Sequence, residues 1–145
     1  MDVTILNKFL QAVFGLLRSS LTTCVVTVGA PDSDKVTFDK TYVWISPNFE
    51  NEPHLYNYDF AQSDTSVFIS SPTLGGVLDT YQSIRNMFNN VELSLGEGFV
   101  NINTYAPHGR FFEDIYEGKR RFFGQIVIRQ RSGLELEEEE EGEEE

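Results

Sequence analysis

The side chains with reactive chemistry are few and scattered. His54 and His108 lie far apart in polar stretches. A catalytic or metal-binding role needs convergent partners that linear spacing does not supply, so both read as loop histidines. Asp32-Ser33-Asp34 with Asp39 offers carboxylates, but it lacks the glycine and terminal glutamate of a calcium loop and reads as turn chemistry. Gly75-Gly76 and Gly96-Glu97-Gly98 are followed by no Lys-Ser/Thr pair, and neither matches a phosphate-cradling loop between a strand and a helix. No serine has the setting of a nucleophile elbow. Cys24 is the single cysteine. It lies in the apolar run Cys24-Val25-Val26-Thr27-Val28 and reads as a buried, inert thiol, with no intramolecular disulfide. The expectation is a protein that is not an enzyme, with no cofactor and no metal.

Charge offers more. The net charge of −12 is unevenly placed. Residues 1–105 carry five Lys/Arg against eleven Asp/Glu, whereas 106–133 carry six against three. Residues 134–145 hold nine Glu and no base. Such blocks mark interaction surfaces or tails. The basic set is Arg110, Lys119, Arg120, Arg121, Arg129 and Arg131, interleaved with Phe122 and Phe123. These are the candidate interface or phosphate-contacting residues, because cations beside aromatic rings can bind phosphate and stack on bases. The competing reading pairs these arginines with the acidic body or tail of the same or a neighbouring chain, since an acidic domain repels a polyanion. The tail itself has three readings. It can be a flexible solubilising or partner-binding peptide, an intramolecular shield over the basic segment, or a phosphate mimic for a basic partner.

These groups must be held by a chain of 145 residues. That length predicts one α+β domain over residues 1–133 and a disordered acidic tail over 134–145. The apolar run 5–21 lacks the basic start of a signal peptide, and Lys8, Gln11 and Arg18 interrupt it. No stretch reaches the roughly 18–20 apolar residues of a membrane span. The expectation is a soluble, unprocessed protein without a membrane partner.

Leu6, Phe9, Leu10, Val13, Leu17 and Leu21 recur at helical steps and predict a helix over 4–20. Residues 21–28 read as a buried strand, 29–34 as a turn, and 35–45 as a strand pairing with the first. Residues 46–63 read as a long loop and 66–70 as a short strand. Ser71 is the expected N-cap, with Pro72 at the first position of a second helix. Its stripe runs through Leu74, Val77, Leu78, Tyr81, Ile84, Phe88 and Val91, with Asn89-Asn90 at its end. A strand over 99–105 and a turn at Ala106-Pro107-His108-Gly109 follow. Beyond that turn two readings stand: a hairpin tipped by Glu117-Gly118-Lys119, or a helix over 111–123 with a strand after it. Gly118 and Gly124 favour the hairpin. The whole predicts a mainly antiparallel sheet of four to six strands, with the N-terminal helix and the 72–90 helix against it.

The run Gly98-Phe99-Val100-Asn101-Ile102-Asn103-Thr104-Tyr105-Ala106-Pro107, with the apolar helix at 5–21, resembles a family of tailed-phage proteins. These are the tail-terminator or tail-completion proteins of the neck, in which an N-terminal helix precedes a small sheet. The resemblance implies a structural protein of the virion, assembled in the host cytoplasm. It also implies a homo-oligomeric ring, hexameric, in contact with other virion proteins. Head-to-tail contacts in such a ring let an acidic face meet a basic one. Two alternatives come from other classes: a nucleic-acid-binding accessory protein with an autoinhibitory tail, and an acidic DNA-mimic inhibitor.

Overall fold

Phe9, Val13 and Leu17 fall one helical turn apart, and that spacing builds α1 (Val3–Ser20), where all three are fully buried. Leu10, Ala12, Phe14 and Leu16 widen the apolar arc and pack half-buried around them. Arg18 stands in the last turn, where a cation meets the negative end of the helix. The computed structural model describes residues 3–32, 35–46, 50–51, 60–96, 98–116 and 118–134. Most of the loop expected over 46–63, including His54, lies outside these residues. So does the acidic tail after Leu134.

Among the described residues six strands follow, in the order β1 (Val25–Val28), β2 (Tyr42–Ile45), β3 (Glu50–Asn51), β4 (Phe60–Ser71), β5 (Phe99–Tyr116) and β6 (Lys119–Leu134). They form one sheet in the spatial order β1-β2-β4-β6-β5, with β3 beside β4. Every pairing is antiparallel except β1 with β2, which is parallel. The expected α+β class with a mainly antiparallel sheet is therefore the observed one. β4 pairs with β6 along its whole length, from Phe60↔Gly133 to Ser71↔Phe122, and the two form the spine of the sheet. The hairpin reading of 110–124 is correct. Tyr116 pairs with Lys119, and Gly118 takes the left-handed φ of +79° that a tight turn needs and that a side chain disfavours.

The remaining differences have local causes. The turn expected at 106–109 does not form, because β5 runs straight through it. Tyr105 opposes Arg129 and His108 opposes Val127, so Ala106 and Pro107 bulge out against a single partner residue. A proline without an N–H is tolerated there, outside the ladder. The strand expected over 35–45 contracts to Tyr42–Ile45. β4 begins at Phe60, inside the expected loop.

Ser71 does not cap the second helix, α2 (Leu74–Met87). It is the last residue of β4, and its hydroxyl is engaged with that of Thr41 at 3.0 Å. Thr73 caps instead, its Oγ1 accepting the Gly76 N–H at 3.0 Å. Of the expected stripe, Val77, Ile84 and Phe88 are buried, while Leu74 and Leu78 are 48% and 44% exposed.

Both helices lie on one face of the sheet. Val43, Ile45, Val67, Ile69, Ile126 and Ile128 point to that inner face and form one apolar cluster with Phe9, Val13, Leu17, Val77, Ile84 and Phe88. Gly109 lets α2 approach β5: a Cβ there would stand 2.8 Å from the Gln125 carbonyl and against the Tyr81 ring. Towards the far end of β6 the inner face turns polar. Asn101, Thr104, Gln130, Ser132 and Ser63 are buried there and joined by hydrogen bonds, including Thr104 Oγ1 to Asn101 Oδ1 at 2.7 Å and Gln130 Nε2 to Ser63 Oγ at 2.9 Å. A satisfied polar network of this kind fixes strand register, since a one-residue slip would strand every donor.

Candidate interaction surface

Side chains alternate across a strand, so the residues between the core positions share the outer face, which neither helix covers. On β2 these are Tyr42 and Trp44. On β4 they are Asp64, Ser66, Phe68 and Ser70. On β6 they are Lys119, Arg121, Phe123, Gln125, Val127, Arg129 and Arg131, and β5 adds Tyr105, His108, Arg110, Phe112 and Asp114. Trp44 stacks on Phe68 at 5.6 Å and 18°, and Phe112 on Phe123 at 5.2 Å and 10°. The topology thus gathers five of the six basic residues singled out in the sequence onto one aromatic face. Arg120 points the other way.

Their environments differ sharply. Arg121 is 1% exposed. Its Nε donates to Ser70 Oγ at 2.8 Å, Nη1 to the Phe38 carbonyl at 3.2 Å, and Nη2 to the Lys40 carbonyl at 2.8 Å. It also lies 5.7 Å from the Phe38 ring and 5.9 Å from the Tyr42 ring. Arg121 pins the connection between β1 and β2 down onto one end of the outer face. Arg129 grips Asp64 with a two-pronged fork, Nε to Oδ1 at 2.8 Å and Nη2 to Oδ2 at 2.9 Å. Hydrogen bonding to Asp64, then to Tyr105, holds its pKa above the ordinary arginine value.

Arg110 is exposed. It donates from Nε to Gln125 Oε1 at 2.8 Å and lies 5.4 Å from the Phe112 ring. Lys119 Nζ stands 4.7 Å from the Phe38 ring. Arg131 is exposed near the end of β6, and its carbonyl accepts from Asn101 Nδ2 at 3.2 Å. Arg120 sits 3.5 Å from Glu113 in an exposed pair. The run of basic residues was visible in the sequence. That Arg121 lies inside and Arg110 outside was not, because alternation alone puts both on the same face.

Beside Arg121 is a cavity of about 170 Å³ lined by Pro31, Val36, Tyr42, Trp44, Arg121 and Phe123. Small-molecule pockets begin at about 300 Å³, so this one has room for a single apolar side chain. Burial works to raise the Tyr42 pKa. The hydroxyl and N–H of Thr37, with Lys40 and Arg121 nearby, outweigh it and leave the phenol below its ordinary value. Thr37 donates its N–H to Tyr42 Oη at 2.8 Å.

Among the described residues, no group of three or more His, Cys, Asp or Glu is placed to hold a metal ion. His108 is exposed on β5, and Cys24 is half-buried against the core. Among the same residues, no helix is long and apolar enough to cross a membrane.

The edges of the sheet are unlike. β5 pairs with β6 on one side; on the other, Thr104 exchanges two backbone hydrogen bonds with Val91, at 2.9 and 2.8 Å, and further along the strand Phe111, Phe112 and Ile115 are 43%, 42% and 71% exposed. The opposite edge is β1, four residues long.

No family model and no curated protein matches the chain. Among solved structures, it is similar to a chain from the virion of a native gene transfer agent particle. The TM-score is 0.69 at 14% identity, over 91% of this chain and 99% of the other. At that identity the likeness shows a shared fold.

Proposed function

We propose that this chain is a non-enzymatic structural subunit of a phage-like virion, of the tail-terminator or neck type. It assembles as a homo-oligomeric ring with other virion proteins, in the host cytoplasm. In this reading residues 1–133 act as one domain and 134–145 as its tail. The observation that carries it is the fold likeness to a virion chain over 99% of that chain's length. Two features of the surface support it. The β5 edge offers backbone hydrogen-bonding groups beside exposed Phe111, Phe112 and Ile115, and α2 adds exposed Leu74 and Leu78. The β1 edge differs in length and composition, so contacts between unlike edges are head-to-tail and close into a ring when the rotation allows.

Light scattering after size exclusion tests the proposal. A discrete oligomer free of nucleic acid is expected, and Ile115→Lys should dissociate it without unfolding the subunit. A monomer at every concentration refutes it.

The basic, aromatic outer face favours a second reading, a nucleic-acid-binding accessory protein. Titration with single-stranded DNA decides it. If the protein lacking residues 135–145 shows no salt-sensitive binding, this reading fails.

A further inference from the structure

Arg85 stands in the last turn of α2, and Asn89 and Asn90 follow where the helix ends at Phe88. The two backbone hydrogen bonds between Val91 and Thr104 hold this corner against the edge of β5. Between the corner and the strand lies an open cleft of about 390 Å³, lined by Arg85, Asn89, Asn90, Asn103, Tyr105 and Ala106. That volume falls within the range of small-molecule sites, and the lining is mostly polar.

The backbone departs from regular geometry on both sides of the cleft. β5 shifts register between Asn101 and Asn103 and again between Tyr105 and His108, and such bulges re-aim side chains beside binding sites. Among the described residues Asn90 is the one non-glycine residue in the left-handed region, with φ of +59°. Tyr105 is held in place by hydrogen bonding to Arg129, which the fork on Asp64 fixes in turn. The side chains of Arg85, Asn89, Asn90 and Asn103 have no hydrogen-bonding or ionic partner among the described residues. The wall is fixed, and its polar groups are unspent.

We infer that this cleft binds one purine nucleoside monophosphate, of the kind represented by AMP. Arg85 offers a planar fork of donors that suits a phosphate, and its charge offsets the negative end of α2. Each carboxamide sets a donor beside an acceptor, the pattern that the N6 and N7 edge of adenine complements. The Tyr105 ring offers the base a surface to pack on. A bare phosphate only accepts, so it would leave the carboxamide oxygens unmatched. A neutral sugar would leave the guanidinium charge unused. The net charge of −12 repels anions in proportion to their own charge, which favours a single nucleotide over a strand. The cleft lies at the opposite ends of α2 and β5 from Leu74 and Ile115, so its occupancy and the proposed ring contacts fail or stand separately.

Nuclear magnetic resonance titration of the full-length, nitrogen-labelled protein with AMP tests the inference. The side-chain amides of Asn89, Asn90 and Asn103 and the Arg85 Nε–H should shift together, with a dissociation constant of about 1 mM. Ribose 5-phosphate should bind about tenfold more weakly, because it lacks the base. Arg85→Gln, at an exposed helix position, should weaken AMP about tenfold and leave the unfolding midpoint unchanged. Ribose 5-phosphate binding as tightly as AMP overturns the inference, since the cleft then holds an adventitious ion only. Absence of shifts at these four residues overturns it, as does an Arg85→Gln protein that binds AMP as well as the parent. An octadeoxyadenylate strand that shifts the same signals at lower concentration than AMP also overturns it, because a strand is then the ligand.

Discussion

Replacing Arg121 with Met separates a pin from a surface charge. The substitution keeps most of the side-chain volume, so little cavity is left. It removes donors to Ser70 Oγ and the Lys40 carbonyl, both at 2.8 Å, and to the Phe38 carbonyl at 3.2 Å. Hydrogen bonds from a charged group contribute about 1.5–3 kcal/mol each, and the longest of the three counts least. Two good bonds give about 3–6 kcal/mol. Burying a neutral thioether in place of a guanidinium recovers part of that. The expected net cost is about 2–3 kcal/mol, read as a lower urea midpoint with unchanged slope.

Arg121→Lys should cost nearly as much, because a point ammonium cannot span three acceptors. Arg110→Met, on the same face but exposed, should stay within about 0.5 kcal/mol. Hydrogen exchange adds a local readout: the Thr37 amide, bound to Tyr42 Oη, should lose protection in Arg121→Met as the connection lifts. A cost below about 1 kcal/mol, indistinguishable from Arg110→Met, would refute the assignment of Arg121 as the anchor of that connection.

Three further outcomes follow from the same geometry. Gly109→Ala should destabilise by about 1–3 kcal/mol in thermal or urea unfolding, because the new methyl meets the Gln125 carbonyl at 2.8 Å and the Tyr81 ring. Asp64→Asn should cost on the order of 1 kcal/mol, since the forked pair with Arg129 is about one-third exposed and solvent screens it; Asp64→Asn combined with Arg129→Gln should cost less than the two single changes added together. The Tyr42 phenol titrates below 10.0, so its contribution to stability is absent at low pH, grows as pH rises through the lowered value, and is complete above 10.0. Ultraviolet difference titration against Tyr42→Phe should show the Tyr42 phenol ionising below its ordinary value, and Arg121→Met should move it upward.

Much of this architecture follows from local periodicity. Phe9, Val13 and Leu17 specify one face of α1 whatever packs against it, and the twofold alternation of Gln125 to Gln130 specifies a strand with one buried face. Gly118 marks the hairpin because few other residues adopt its φ. The composition and charge blocks also need no coordinates.

Other features depend on partners distant in sequence. Pro107 looks like a turn until β6 is laid beside it and the bulge absorbs the extra residue. Ser71 looks like a cap until β4 claims it for the sheet. Residues 35–45 alternate loosely enough to read as strand, yet they pair only from Tyr42 onward. Arg121 and Arg110 are alike in type and facing, and only the folded connection over Arg121 separates them. Periodicity is a property of neighbouring residues, so the chain states it outright. Burial of a charge is set by what the rest of the chain brings to it, and that exists only once the chain has folded.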